Sequence, residues 1–430
     1  MPAAPREAPA APSIAAVDAG VDTSTPSPSV ACAPLPLTGR MVEIMDAAAL
    51  LSAVRDATAG TTLLLADGTY AIGGQILQLR ADNVTLRGKS GRRDAVILDG
   101  QWNATSGEIV SVTGNHVTIA DLTISRAYTH AIHVQPTDTS DVVGTTIFNV
   151  HVIDALEQAI KINLNGARTH FPDDGIVACS HLQLTATGRP QVRNNCYTGG
   201  IDGHGARGWR IRDNLIEGFY CAQGLSEHGV HFWTGSRDTL VERNRIFNSA
   251  RGVGFGLGGT TASSTDPWRT YADEPCQSAR PVGHYGGIVR NNFIFANDAA
   301  IFASASGFDS GIAFEQACGA NALHNTVYGT TAPVSSAVEW RFANTSVTVT
   351  NNLANAAFKN RGEGAQGSAT GNVATASPAA FVDAPSGDLH LRAPATGVRG
   401  SGAAIAVGLC DDDIDGDARG SRDVGADQLP

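Results

Sequence analysis

An all-β solenoid with an N-terminal capping helix is the fold this sequence predicts, and three observations predict it. One strand is written repeatedly, as "HAIHVQ", "QAIKIN", "GGIDGH", "HGVHFW", "RGVGFG", "SGIAFE" and "SAVEWR", starting at His130, Gln158, Gly199, His228, Arg251, Ser310 and Ser336. Short alternating runs built around asparagine recur as well, among them "NHVTIADLTI" at Asn115, "GGIVRNNFIFAND" at Gly286 and "TSVTVTNNLANA" at Thr345. Finally, 48 glycines and only 17% charged residues describe a turn-rich globular chain.

In chain order, residues 1–40 are rich in Ala, Pro, Ser and Thr without hydrophobic period, the composition of a disordered linker. "MVEIMDAAALLSAVRDAT" from Met41 has helical apolar spacing and suits a cap over the open end of a solenoid core. "TTLLLADGTYAI" from Thr61 then begins the strands, and residues 41–400 form the solenoid domain. The closest strand copies place His231 and Gly254 23 residues apart, about one coil. Asparagine tolerates left-handed corners and can bond to an asparagine stacked above it, so these residues are expected to turn each coil. Residues 401–430, acidic and Gly-rich, read as a solvated tail; the carboxylate spacing of a calcium-binding EF-hand loop is absent there.

A formal net charge of −11 and a pI near 5.5 argue against a nucleic-acid partner. No apolar stretch is long enough to span a bilayer. Cys179, Cys196, Cys221, Cys276, Cys318 and Cys410 are widely spaced with no Cys-x-x-Cys pair, which fits disulfides of an exported protein. Cys32 follows small residues, as a lipid-attachment site would, but lacks the apolar run before it. A secreted, periplasmic or cell-surface monomer is expected.

Side chains on a strand alternate between faces. Ile132, Ile160, Ile201, Val230, Val253, Ile312 and Val338, with the residues two further on, are expected to stack inside. Two outward columns lie between them. One reads His133, Lys161, Asp202, His231, Gly254, Ala313, Glu339, and the other Gln135, Asn163, His204, Trp233, Gly256, Glu315, Arg341. The inner positions repeat because they are core; the outer ones vary because they form a surface in use.

On its asparagine-turn strands and its opening from Leu63 to Ile72, the chain resembles the right-handed parallel β-helix proteins. Pectate, alginate and chondroitin lyases, polygalacturonases and polyuronate epimerases share that architecture. The likeness spans about residues 60–385 and implies action on a polysaccharide. Lyases of this group often work with calcium; no acidic calcium cage is evident in this chain, so cofactor and metal are left open.

Neighbouring coils are about 4.8 Å apart, so Lys161, Asp202 and His231 stack directly, beside Asn163, His204 and Trp233. Only three lysines occur in the chain, which makes Lys161 conspicuous. An exposed indole next to the glycines at 254, 256 and 258 suits a sugar ring. We assign Lys161, His204 and His231 to proton transfer, Asp202 as their orienter, and Trp233, Arg341, Asn163, His133 and Glu315 to substrate. This set fits β-elimination of an acidic, uronic-acid-containing polysaccharide, in which a base removes the proton next to a carboxylate. Glycoside hydrolysis is the alternative, with "PDDG" at Asp173 and Asp174 and "DGHG" around His204 resembling polygalacturonase motifs. It needs carboxyl groups about 5–9.5 Å apart, and Asp202 and Glu315 are three coils, about 14 Å, apart in this register. A non-catalytic carbohydrate-binding or adhesin solenoid is the third reading. Glu339 and Arg341 are expected to pair with each other, and loops from Asn165 and between Gly259 and Gly286 to wall the face.

Overall fold

The computed structural model describes residues 32–193, 195–257, 268–273, 276, 282–420 and 422–429. The chain is an all-β parallel β-helix. A ten-stranded parallel sheet carries the repeated strand. Its members are β1 (Leu77–Leu79), β2 (Val110–Val112), β3 (Ile132–Val134), β4 (Gln158–Ile162), β5 (Gly199–His204), β6 (His228–Trp233), β7 (Arg251–Phe255), β8 (Ser310–Glu315), β9 (Ser336–Arg341) and β10 (Phe358–Asn360). Each pairs only with the coil below and the coil above, so chain order is spatial order. The register is the expected one: His133, Lys161, Asp202, His231, Gly254, Ala313 and Glu339 lie opposite one another in succession, as do His204 with Trp233 and Glu315 with Arg341.

Inside, Ile132, Ile160, Ile201, Val230, Val253, Ile312 and Val338 are fully buried. The next inward column runs Val134, Ile162, Gly203, Phe232, Phe255, Phe314, Trp340. Gly203 breaks the apolar series for a steric reason: a Cβ there would sit 2.4 Å from the Phe232 ring. The missing side chain is the space the phenyl occupies.

The corners are built by asparagines, with a division of labour the sequence did not show. Asn214, Asn244, Asn292, Asn325, Asn352 and Asn372 form a ladder in which each side-chain oxygen accepts from the amide group below, for example Asn244 Nδ2 to Asn292 Oδ1 at 3.0 Å. That same Asn292 oxygen also takes the Asn244 backbone N–H at 2.9 Å. The left-handed residue is instead the one before, with Asp213, Arg243, Asn291, His324 and Asn351 all at φ between 51° and 58°. One position bends the chain, and the next satisfies the backbone groups the bend exposes.

Four expectations are corrected. The segment from Met41 is not helical throughout: Arg40–Ile44 is a strand paired with Thr61–Leu65, and α1 spans Ala47–Arg55, with Asp46 capping the Ala49 N–H at 2.8 Å and Leu50 and Val54 buried. Of the 1–40 linker, residues 1–31 lie outside the described residues, and from Cys32 the chain is pinned by a disulfide to Cys179. That bond removes the thiol a lipid would need and redraws the cysteine set. Cys196 pairs with Cys221 and Cys276 with Cys318, leaving Cys410 as a buried free thiol. The C-terminal residues are not a solvated tail either. Ile414, Val424 and Ala426 pack with Phe293, Phe295, Tyr328, Leu353 and Phe381 into a second apolar cluster on the flank of the coil. Among the described residues no helix is long and apolar enough to cross a membrane.

Candidate active site

Strands β3 to β6 bring together seven of the nine residues expected at the site. The outward face there is not an exposed wall. Lys161 is 5% exposed, Asp202 2% and His231 0%. Loops entering and leaving the strands cover them. At the strand ends, Arg269 from the long insertion donates to Asp173 at 2.6 and 2.8 Å and to the Gly205 carbonyl at 2.8 Å, tying that insertion to the loop from Asn165. At the strand starts, the Cys196–Cys221 disulfide clamps the segments that deliver Tyr197 and Glu227. Gly258 lies outside the described residues.

Lys161 is the hub. Its ammonium donates to Asp202 Oδ2, to the Tyr197 hydroxyl at 3.0 Å and to His204 Nε2 at 3.0 Å, which uses all three of its protons. Burial pushes the ammonium down, but the Asp202 carboxylate outweighs it and holds Lys161 above its usual value. Burial likewise opposes charge on Asp202, yet the Lys161 ammonium keeps it well below the carboxylate range. His204 Nε2 also lies 3.1 Å from Asp202 Oδ2; in the tautomer in which Lys161 donates to it, Nε2 is the unprotonated nitrogen and Nδ1 faces Thr234 Oγ1 at 3.2 Å. Burial first, then the Lys161 charge, lowers the His204 pKa. The imidazole is neutral and its side chain is 18% exposed.

Trp233 is not the open sugar platform expected. Its indole N–H donates to Asp202 Oδ1 at 2.9 Å, and its ring lies 4.4 Å from His204 and stacks 5.6 Å from His231. His231 has no nitrogen facing solvent: Nδ1 contacts Glu227 Oε2 at 3.2 Å and Nε2 the Gly256 carbonyl at 2.9 Å. One coil below Lys161, His133 is held between Glu108 Oε2 at 2.7 Å and Asn163 Nδ2 at 3.2 Å.

Glu315 and Arg341 are not part of this cluster. They sit on β8 and β9, beyond the glycines of β7, and line a separate cavity of about 220 Å³ with His228 and Gly256. The expected Glu339–Arg341 pair is also replaced. Arg341 binds Glu363 at 2.6 Å, and Glu339 binds Arg361 at 2.7 Å, because the residue on the next coil is closer than the one along the strand. Asp173, from the polygalacturonase-like motif, is taken up by Arg269.

Tyr197, Glu227, His228, Glu108 and Thr234 escaped sequence reasoning. Only Tyr197 carried a signal, its place next to Cys196. The oxygen-rich donor set of a calcium site does not fit this centre, since both Asp202 oxygens are already engaged, Oδ2 by the Lys161 ammonium and Oδ1 by the Trp233 indole N–H.

No family model and no curated protein matches the chain. Solved structures do. The chain is similar to pectate lyase Pel9A at 14% identity and a TM-score of 0.51, covering 88% of this chain and 90% of that one. It is also similar to the tailspike protein of E. coli bacteriophage HK620, solved with a pentasaccharide, at 12% identity and a TM-score of 0.50. There it covers 73% of this chain and spans about half, 53%, of the tailspike. These likenesses establish the parallel β-helix fold.

Proposed function

We propose that the protein is an exported carbohydrate-active enzyme, a lyase that cleaves an acidic, uronic-acid-containing polysaccharide by β-elimination at His204, Tyr197 and Lys161. The observation that carries the reading is one ammonium, Lys161 Nζ, 3.0 Å from both a phenol and an unprotonated imidazole nitrogen. In the reaction, His204 Nε2 exchanges its hydrogen bond from Lys161 for the proton of the carbon next to the substrate carboxylate. The electrons left behind form the ring double bond, the glycosidic C–O bond breaks, and the departing oxygen takes the proton of Tyr197. Burial lifts the Tyr197 pKa above its usual value, so the phenol enters the reaction protonated. Lys161 lies between the two groups and returns the proton from imidazolium to phenolate. Asp202 holds that ammonium charged and in place.

Hydrolysis fits less well. Asp202 is fully engaged, and Glu315 is three coils higher on β8. An adhesin has no use for a buried ammonium joining two titratable groups. Three disulfides support an oxidising compartment outside the cytosol. The pectate lyase and the pentasaccharide-bound tailspike lend the fold a carbohydrate context.

The test is incubation with a panel of uronic-acid polymers while following the ultraviolet absorbance of the unsaturated product. Turnover with that signal is expected. New reducing ends without it would mean hydrolysis, and no turnover on any polymer would leave a binding protein.

A further inference from the structure

We propose that Glu227, His228 and His231 form a binding site for a divalent late first-row cation of the zinc type, beside the cavity that His228 lines with Glu315 and Arg341. This does not rest on the lyase reading, since it involves neither His204 nor Tyr197.

The first observation is the donor set. One ligand atom from each of Glu227, His228 and His231 lies within 4.8 Å of the others. Tetrahedral zinc, with bonds of about 2.0–2.1 Å, spaces its donors about 3.3 Å apart. The His231 Nδ1 to Glu227 Oε2 contact, 3.2 Å, already has that length.

A second, independent observation points to a ligand. His228 is 4% exposed, and among the described residues neither of its ring nitrogens has a hydrogen-bond partner. An unpaired buried polar group is costly to the fold, and calls for an explanation such as an unfilled ligand position. His228 also lines the 220 Å³ cavity next to the cluster. The coil above makes room for the imidazole: a Cβ on Gly254 would meet the His228 ring at 2.7 Å.

A third observation concerns His231. Its Nε2–H donates to the Gly256 carbonyl at 2.9 Å, which orients Nδ1 toward Glu227. Metal-bound histidines are held in this way, with the far nitrogen on a backbone carbonyl. A cation entering here replaces the proton shared between His231 and Glu227. Two nitrogens and one carboxylate oxygen select zinc-like ions over calcium or magnesium, which favour all-oxygen shells.

The experiment is equilibrium dialysis of the chelator-treated full-length protein against zinc, with bound metal counted by mass spectrometry and calcium run in parallel. One zinc per chain and no stoichiometric calcium at this site is the expected result. His228→Ala and Glu227→Gln should each weaken it by more than the roughly 10–100-fold that losing a supporting partner costs. His390, Asp415 and Asp427 form a second possible cluster, so His390→Ala serves as the control and should leave the binding intact. Cobalt in place of zinc should show the visible absorption of a four-coordinate ion in the wild-type protein, a readout that stands even if a variant fails to fold. No bound zinc in the wild type, unchanged binding in His228→Ala, loss only in His390→Ala, or a six-coordinate cobalt spectrum would each overturn the assignment.

Discussion

The asparagine corner and the outward column of β4 to β6 are both rows of polar side chains stacked coil upon coil, buried alike, yet they are composed on opposite principles. From Asn214 to Asn372 the same residue recurs and each amide bonds to the next. From Lys161 through Asp202 to His231 the residue changes at every coil, and next to that column His228 has no hydrogen-bond partner among the described residues. Repetition serves the scaffold: an identical donor and acceptor at each level closes every bond. Variation suits the proposed chemistry, because an acid and a base with separate tasks must differ in proton affinity.

Substituting the groups that the varied column's Lys161 holds should disturb function most. His204→Gln and Tyr197→Phe are expected to lower turnover by about 10²–10⁴-fold, the usual share of a positioned acid or base, with little change in the unfolding midpoint. A stability loss that accounts for the lost activity would erase the distinction between the two rows. Lys161→Met should destabilise the fold by about 3–5 kcal/mol in denaturant titrations, because Asp202 is left buried and unpaired. Adding Asp202→Asn should recover part of that loss, and no recovery would show that Lys161 matters for packing alone.

In the repeated row, Asn292→Ala removes the oxygen that accepts from Asn244 N and Nδ2, for an expected loss of about 2–4 kcal/mol. Turnover of the remaining folded protein should be unchanged. Gly254→Ala forces the His228 ring aside and should cost about 1–3 kcal/mol of stability; a neutral result would mean the imidazole is not held where it lies.

The smallest effect belongs to the C-terminal flank, which serves as a control outside both rows. His390 is held between Asp388 and Asp415; burial lowers its pKa, but the Asp415 and Asp388 bonds prevail and raise it to about 9. Its folded value lies above its ordinary 6.5, so this contribution is complete below that pH and lost as pH rises through about 9. Proteolysis of the C-terminal residues should quicken over that window, and His390→Ala should abolish the pH dependence.

Much of the fold and part of the site were legible beforehand. Alternation set which residues face in, and copy-to-copy alignment gave the register that stacks Lys161, Asp202 and His231. Depth was not legible. Lys161 and His231 read as surface because strand period reports direction and not cover, and the cover comes from loops of unequal length. Tyr197 and Glu227 lie just outside the repeated strand, where no periodicity marks them. Cys32 reads with the linker and is weighed as a lipid site, because nothing local points to its partner, Cys179, 147 residues away.

What the amino-acid order determined by itself is the local, periodic part: strand direction, inward and outward faces, and the succession of coils. Only the tertiary structure decided which outward residues are enclosed, which arginine meets which carboxylate, and that the acidic end folds onto Phe293 and Phe381. The physical reason is range. Side-chain direction is settled within two residues, whereas burial depends on every segment that can reach the same surface.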